Sequence, residues 1–506
     1  RGAFQTLQRV HPRLWAAGLG GVFMSFVMMI FYNVIIAWAL VYLVYSFMDP
    51  LPWAEDSVAF FYDTVLDSSS GIGDTSALNW KVLTANLLSW LFVALALTKG
   101  VASSGKVAWF TATVPYVCIL VLLVRGAMLP GAYEGVRSYL RVDMAKLGEA
   151  ETWTRAANQI FFSLGVAMGA VIVFGSYQER SNNFLRDSLL VPVINCLTSF
   201  IGGFFVFSML GYISQERGVP IDELELSGFS LAFITYTDGL ALFPKGVAQA
   251  FSVVFFVMIF CLGIDSQIGV TETVVTFLKD TLAERKRPVH LSNAAAVSVV
   301  TAVGVVLGLP CCTNAGYYWT TLLWEYGNYI SLFVVAALTL AGAGWVLGPK
   351  DLNEACVDML GRPVPRLLMV LWRYVDPLLC LVLLVASAVS MVPYASSLGG
   401  HGPGTGAFPT WAQALSVVIN WSPAIVMVAA LFVPARWLPF TERARRERLM
   451  PPQGDGAESV PTADGAESGP PAGVLVLSTS KRKGGSLLPS RTLELELVGP
   501  TEPLEL

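Results

Sequence analysis

Long apolar stretches alternate with short polar ones from the start of the chain to residue 437. The apolar runs fall at 15–47, 82–99, 107–129, 156–177, 185–213, 246–279, 291–310, 315–348, 366–392 and 411–437. Each approaches or exceeds the roughly 20 apolar residues that a helix needs to cross a bilayer. The pattern therefore predicts an all-α polytopic membrane protein of about ten spans. One run is irregular. Asn158–Gly169 reads NQIFFSLGVAMG, with an amide (Gln159) and a hydroxyl (Ser163) one helical turn apart, followed by Gly165 and Gly169. A helix in lipid does not ordinarily give up backbone hydrogen bonds, because lipid offers no replacement partner. Where it does, the freed groups line a cavity or hold an ion. This segment predicts a binding site in mid-membrane.

Composition agrees. The chain of 506 residues is 55% hydrophobic and 13% charged, with a mean hydropathy of +0.61. That excludes a water-soluble domain. The basic residues sit in short loops rather than on a stripe, so no nucleic-acid partner is expected. The distribution of charge matters more than its sum. Residues 48–80 carry six acids and no Lys or Arg; 279–287 carries Lys279, Arg285, Lys286 and Arg287; 350–373 carries Lys350, Arg362, Arg366 and Arg373; and the stretch 436–448 carries Arg436, Arg443, Arg445, Arg446 and Arg448. Positive loops face the cytosol. Both termini are thus expected inside a plasma membrane and 48–80 outside.

The acids of 48–80 are Asp49, Glu55, Asp56, Asp63, Asp67 and Asp74. Lys81 is the first base after it. The seven cysteines lie in or beside apolar runs, apart from Cys356, and are expected to be packing thiols rather than a disulfide framework. Residues 1–448 make up the expected transmembrane domain. Residues 449–506 are polar, rich in Pro, Gly and Ser, and expected to be a disordered cytoplasmic tail. Its end, Leu504-Glu505-Leu506, suits strand addition to a scaffold partner.

Three polar sets interrupt the spans. Gln159 and Ser163 are spaced i, i+4 and share a helix face, and Asn195 and Ser199 repeat that spacing. Asp265-Ser266 places a carboxylate inside an apolar helix, at a cost of about 2.5–3.5 kcal/mol at the bilayer centre. Amides and hydroxyls in membrane helices often serve only to bond a neighbouring helix. Asp265 is harder to read that way, because no Lys or Arg stands near it in its own span, where Lys279 at the far end is the one base. A sodium ion would satisfy it through oxygen ligands. The amide and hydroxyl donors of the other two sets suit an anion.

These residues sit in motifs that resemble the neurotransmitter:sodium symporter family (solute carrier 6). The motifs are FYNVIIAWALVYLVYSF (31–47), LTKGVASSGKVAWFTATVPY (97–116), LLVRGAMLPGA (122–132), NQIFFSLGVAMG (158–169), VINCLTSF (193–200), LAFITYTDGLALFP (231–244), LGIDSQIGVTE (262–272) and GWVLGPKDLNEACVDMLG (344–361). The resemblance implies an inverted-repeat symporter fold like that of the bacterial leucine transporter, here without its first two transmembrane helices. It implies a symporter driven by sodium, with chloride, working by alternating access, and no enzyme activity or organic cofactor. Ser163 and Asn195 match one sodium site; Leu262 (through its carbonyl), Asp265 and Ser266 match a second. Gln159, Ser163, Asn195 and Ser199 match the chloride site. Met28, Tyr32, Phe162, Gly165, Ala167, Met168 and Ser266 match the substrate pocket, with Tyr32 and Phe162 as its aromatic lid. Tyr177 and Asp280 match the inner gate.

The chain also departs from that pattern. Trp324 stands at the outer-gate carboxylate position, with Glu325 beside it as a substitute. Ala167 and Met168 replace a glycine and an aromatic residue, and loop 48–80 lacks the family's paired cysteines. The form GIDSQ resembles the GABA and amino-acid branches, so the expected substrate is a GABA-like or amino-acid zwitterion rather than a monoamine. Self-association into a homo-oligomer is a further expectation. The competing expectation is a truncated, non-transporting fragment or regulatory pseudo-transporter.

Overall fold

The computed structural model describes residues 2–179, 181–224, 228–285, 287–326, 329–397 and 408–432. The expected tail, the basic stretch Arg436–Arg448 and most of loop 393–410 lie outside the described residues. The described secondary structure is helical apart from an isolated bridge between Leu78 and Thr313. The helices are α1 (Ala3–Val10), α2 (Trp15–Tyr45), α3 (Trp80–Thr98), α4 (Val101–Ala127), α5 (Ala132–Leu140), α6 (Ala150–Ser163), α7 (Ala170–Ser176) and α8 (Phe184–Arg217). They continue as α9 (Val247–Ala283), α10 (Asn293–Gly308), α11 (Gly316–Tyr326), α12 (Tyr329–Ala341), α13 (Gly348–Leu360), α14 (Arg366–Val370), α15 (Asp376–Ser397) and α16 (Thr410–Phe432).

Among the described residues, nine helices are long and apolar enough to cross a membrane. The run 156–177 is not one of them, because it divides into α6 and α7. The run 315–348 also divides, into α11 and α12, and a π-helical turn at Gly342–Leu347 leads on into α13. Residues 130–155, between two apolar runs, contain α5, whose Tyr139 stacks on Phe207 of α8 at 4.8 Å. The outward face of α8 carries exposed Leu189, Val191, Val193, Ile194 and Leu197. Such a face is stable against lipid and costly against water.

The core is centred on α2, which is buried along most of its length and packs along α9. Gln267 Nε2 of α9 donates to the Met29 carbonyl of α2 at 2.9 Å, deep in the interior. Loop 48–80 is folded rather than open. Asp56 caps the turn at Ser57–Ala59 through the amides of Val58 and Ala59. Asn79 caps α3 and also donates to the Val65 carbonyl at 2.8 Å. The loop inserts Trp53, Phe60 and Phe61 among Trp38, Tyr42, Phe233 and Phe256. Asp49 reaches Lys245 at 2.6 Å and raises the lysine ammonium above its ordinary value.

The seven cysteines are free, and all but Cys196 are buried, as packing thiols should be. Asn420 is the one N-x-S/T asparagine. It is buried and accepts the Ile330 amide at 3.0 Å.

Candidate functional site

The irregular segment is a true break. α6 ends at Ser163 and α7 begins at Ala170. Between them Gly165, Ala167 and Gly169 take φ of +62°, +66° and +82°. Left-handed backbone is open to glycine and strained for alanine, so this stretch cannot continue as a helix. Two features of α2 hold it. Gly21 presents no side chain, and a Cβ there would lie 2.8 Å from the Ala167 carbonyl oxygen. One turn on, the fully buried Ser25 hydroxyl donates to the Met168 carbonyl at 2.6 Å. Met168 is buried, and Gly165 and Ala167 are half-buried.

At the entry to the break, the Ser163 hydroxyl donates to Asn195 Oδ1 of α8 at 2.8 Å. The expected pairing of these two spans is therefore present. The Asn195 Nδ2 group is buried without a partner. An orphaned amide donor fits an anion, and the oxygens of Ser163 and Asn195 converge as cation ligands would. Gln159, Ser163 and Ser199 are exposed, so the described residues form only one wall of this site.

The second set lies on α9. Leu262, Asp265 and Ser266 are spaced to share one helical face, and the Ser266 hydroxyl donates to the Leu262 carbonyl at 3.3 Å. Thr111 of α4 donates to Asp265 Oδ1 at 3.2 Å. Carboxylate, hydroxyl and carbonyl oxygens are thus grouped on one face, a donor set suited to sodium. Ser266 also sits against the Tyr32 hydroxyl of α2. Met28, buried one turn before Tyr32, lines the same helix. Phe162 is half-buried, and its ring meets Trp324 edge-on at 5.5 Å.

The two residues that match the inner gate hold different partners. The Tyr177 hydroxyl donates to Glu272 Oε1 at 2.9 Å and lies 3.2 Å from Thr276 Oγ1. Asp280 Oδ2 instead accepts the Gly2 amide at 2.8 Å. Glu272 was not singled out from the sequence. It is 4% exposed, and its Oε2 has no partner. The signal that marked Asp265, an acid within an apolar span, marks Glu272 equally. The Glu325 side chain lies outside the described residues.

The chain matches the sodium:neurotransmitter symporter family over residues 1–58 and 54–438. It is 35% identical over 452 residues to the sodium-dependent dopamine transporter of Bos taurus, a match that covers 83% of this chain and 63% of that protein. The chain thus spans less than two thirds of the length of that relative. The family is one of transporters rather than enzymes, and the chain, which carries the broken helix and its partners, belongs to the sodium:neurotransmitter symporter family.

Proposed function

We propose that this chain forms the ion- and substrate-binding core of a sodium- and chloride-dependent symporter in the plasma membrane, with both termini cytoplasmic. The observation that carries the reading is the left-handed stretch between Ser163 and Ala170, tied to α8 by Ser163–Asn195 and to α2 by Ser25–Met168. It breaks the helix beside Ser163 and Asn195, and the oxygen set of α9 is a second polar group within the spans. The favoured cargo is an amino acid or GABA-like zwitterion, and the named relative adds a monoamine as a comparison substrate. Asp265 supplies the negative charge that a sodium ion neutralises, and Asn195 Nδ2 supplies a donor to chloride. Tyr32 and Phe162 cover the pocket from the outside. Tyr177, held by Glu272, and Asp280, held by Gly2, close it from the inside. Alternating access then consists of breaking one set of contacts while the other forms.

A second reading, a chain that binds partners without transporting, is favoured by the exposure of Gln159, Ser163 and Ser199. Proteoliposomes with an imposed sodium gradient separate the two. Uptake of labelled GABA, an amino acid or dopamine should require sodium and vanish in Asp265→Asn. Absence of sodium-dependent uptake for every substrate class would sink the transport reading.

A further inference from the structure

We propose that Trp324 is the outer gate of this chain, a ring that latches Phe162 down over the pocket. The proposal rests on the reading of the 164–169 break as a pocket wall. The Trp324 ring, on α11, meets three others edge-on. Phe162 lies at 5.5 Å and 64°, Phe229 at 5.5 Å and 64°, and Phe31 at 6.1 Å and 83°. These rings come from three different elements: the last turn of α6, the helical turn Gly228–Ser230, and α2. Edge-to-face packing at these separations is attractive beyond simple burial.

The rings differ in how firmly they are held. Phe31 is 1% exposed, and Phe229 leans edge-on against the fully buried Trp38 at 5.3 Å. Together they form a fixed platform. Phe162 is half-buried and stands immediately before Ser163 and the break, where the backbone leaves the helix. Trp324 keeps 38% of its surface exposed and is the most exposed ring of the group. It bridges the platform to the ring beside the break. Lifting Phe162 away from the pocket requires that this contact open first.

A closure made of rings differs from one made of charges. Its strength follows ring area and contact geometry, and it is insensitive to ionic strength, which screens charge pairs. It also gives the pocket an apolar roof on that side.

The test reads closure rather than transport. Met28→Cys places a thiol on the pocket wall, where Met28 is 4% exposed, and Cys196→Ser removes the exposed native thiol. The rate at which a membrane-impermeant, positively charged methanethiosulfonate reagent modifies that thiol reports access from outside. Trp324→Ala should speed modification about tenfold, the factor that corresponds to about 1.4 kcal/mol. Trp324→Phe should stay near the parent rate, and the parent rate should not rise with salt beyond the effect of salt on the reagent itself. Trp324→Leu, with bulk but no ring, should be faster than Trp324→Phe, which keeps the comparison readable if the alanine variant folds poorly. A Trp324→Ala rate equal to the parent, the reverse order of Leu and Phe, or protection that disappears in high salt would overturn the proposal. Uptake plays no part in the labelling rates, so failure of the transport reading appears separately.

Discussion

Gly21→Ala tests whether α2 positions the broken segment. The added Cβ would lie 2.8 Å from the Ala167 carbonyl oxygen, 3.2 Å from the Gly169 amide nitrogen and 3.4 Å from the Met168 carbonyl carbon. All three are backbone atoms, so no side chain can swing aside to make room. The segment must move, and the nearest tie to strain is the 2.6 Å bond from Ser25 to the Met168 carbonyl. Overpacking alone costs about 1–3 kcal/mol. Losing the buried hydrogen bond adds about 0.5–1.5 kcal/mol, and more if the carbonyl is left dry. The expected total is about 2–4 kcal/mol. Gly175→Ala is the control: it lies on α7, has nothing within 4 Å of its Cβ position, and should gain roughly 1 kcal/mol of helix propensity. Thermal inactivation of both purified variants in nanodiscs, followed by size-exclusion profile, ranks them. Gly21→Ala should inactivate well below the parent and Gly175→Ala at or above it. The double variant Gly21→Ala with Ser25→Ala should lose less than the sum of the singles, because the two changes share one contact. Equal midpoints for Gly21→Ala and the parent would refute the reasoning.

Ala167→Gly should stabilise the protein by about 1 kcal/mol, since φ of +66° strains alanine and not glycine; the same heating assay reads it, and a lower midpoint contradicts the assignment of strain. Tyr177→Phe removes a donor from the buried Glu272 and should cost about 1–3 kcal/mol, with Tyr177→Phe/Glu272→Leu recovering part of the loss in the same assay. Sodium at 100 times its dissociation constant should stabilise the parent by about 2.7 kcal/mol, an effect measured as a sodium-dependent midpoint and expected to be absent in Asp265→Asn.

Much of the fold was legible because lipid imposes strict rules on sequence. Runs of apolar residues marked the spans, and Gly165 and Gly169 marked the break because no partner waits in lipid for freed backbone groups. The i, i+4 spacing placed Ser163 toward Asn195, and the 2.8 Å bond between them follows. Other features depend on contacts between distant positions. Trp324 and Phe162 are separated by more than a hundred and fifty positions in the sequence, roughly, and edge-on ring packing leaves no periodic trace. The short helix α5 falls between the apolar runs and carries Glu134 and Arg137, so the hydrophobic pattern does not mark it. Glu272 was legible in principle by the rule that exposed Asp265, but the sequence motif around it did not set it apart.

Loop 48–80 shows how a surface segment can be fixed without covalent help. Trp53, Phe60 and Phe61 are almost entirely buried. They lock the loop onto α2, α9 and the 231–235 turn through rings such as Tyr42, Phe233 and Phe256. The loop contains no cysteine. Its shape is consequently independent of the redox state of its surroundings: a reductant that would loosen a disulfide-tied loop leaves this one in place.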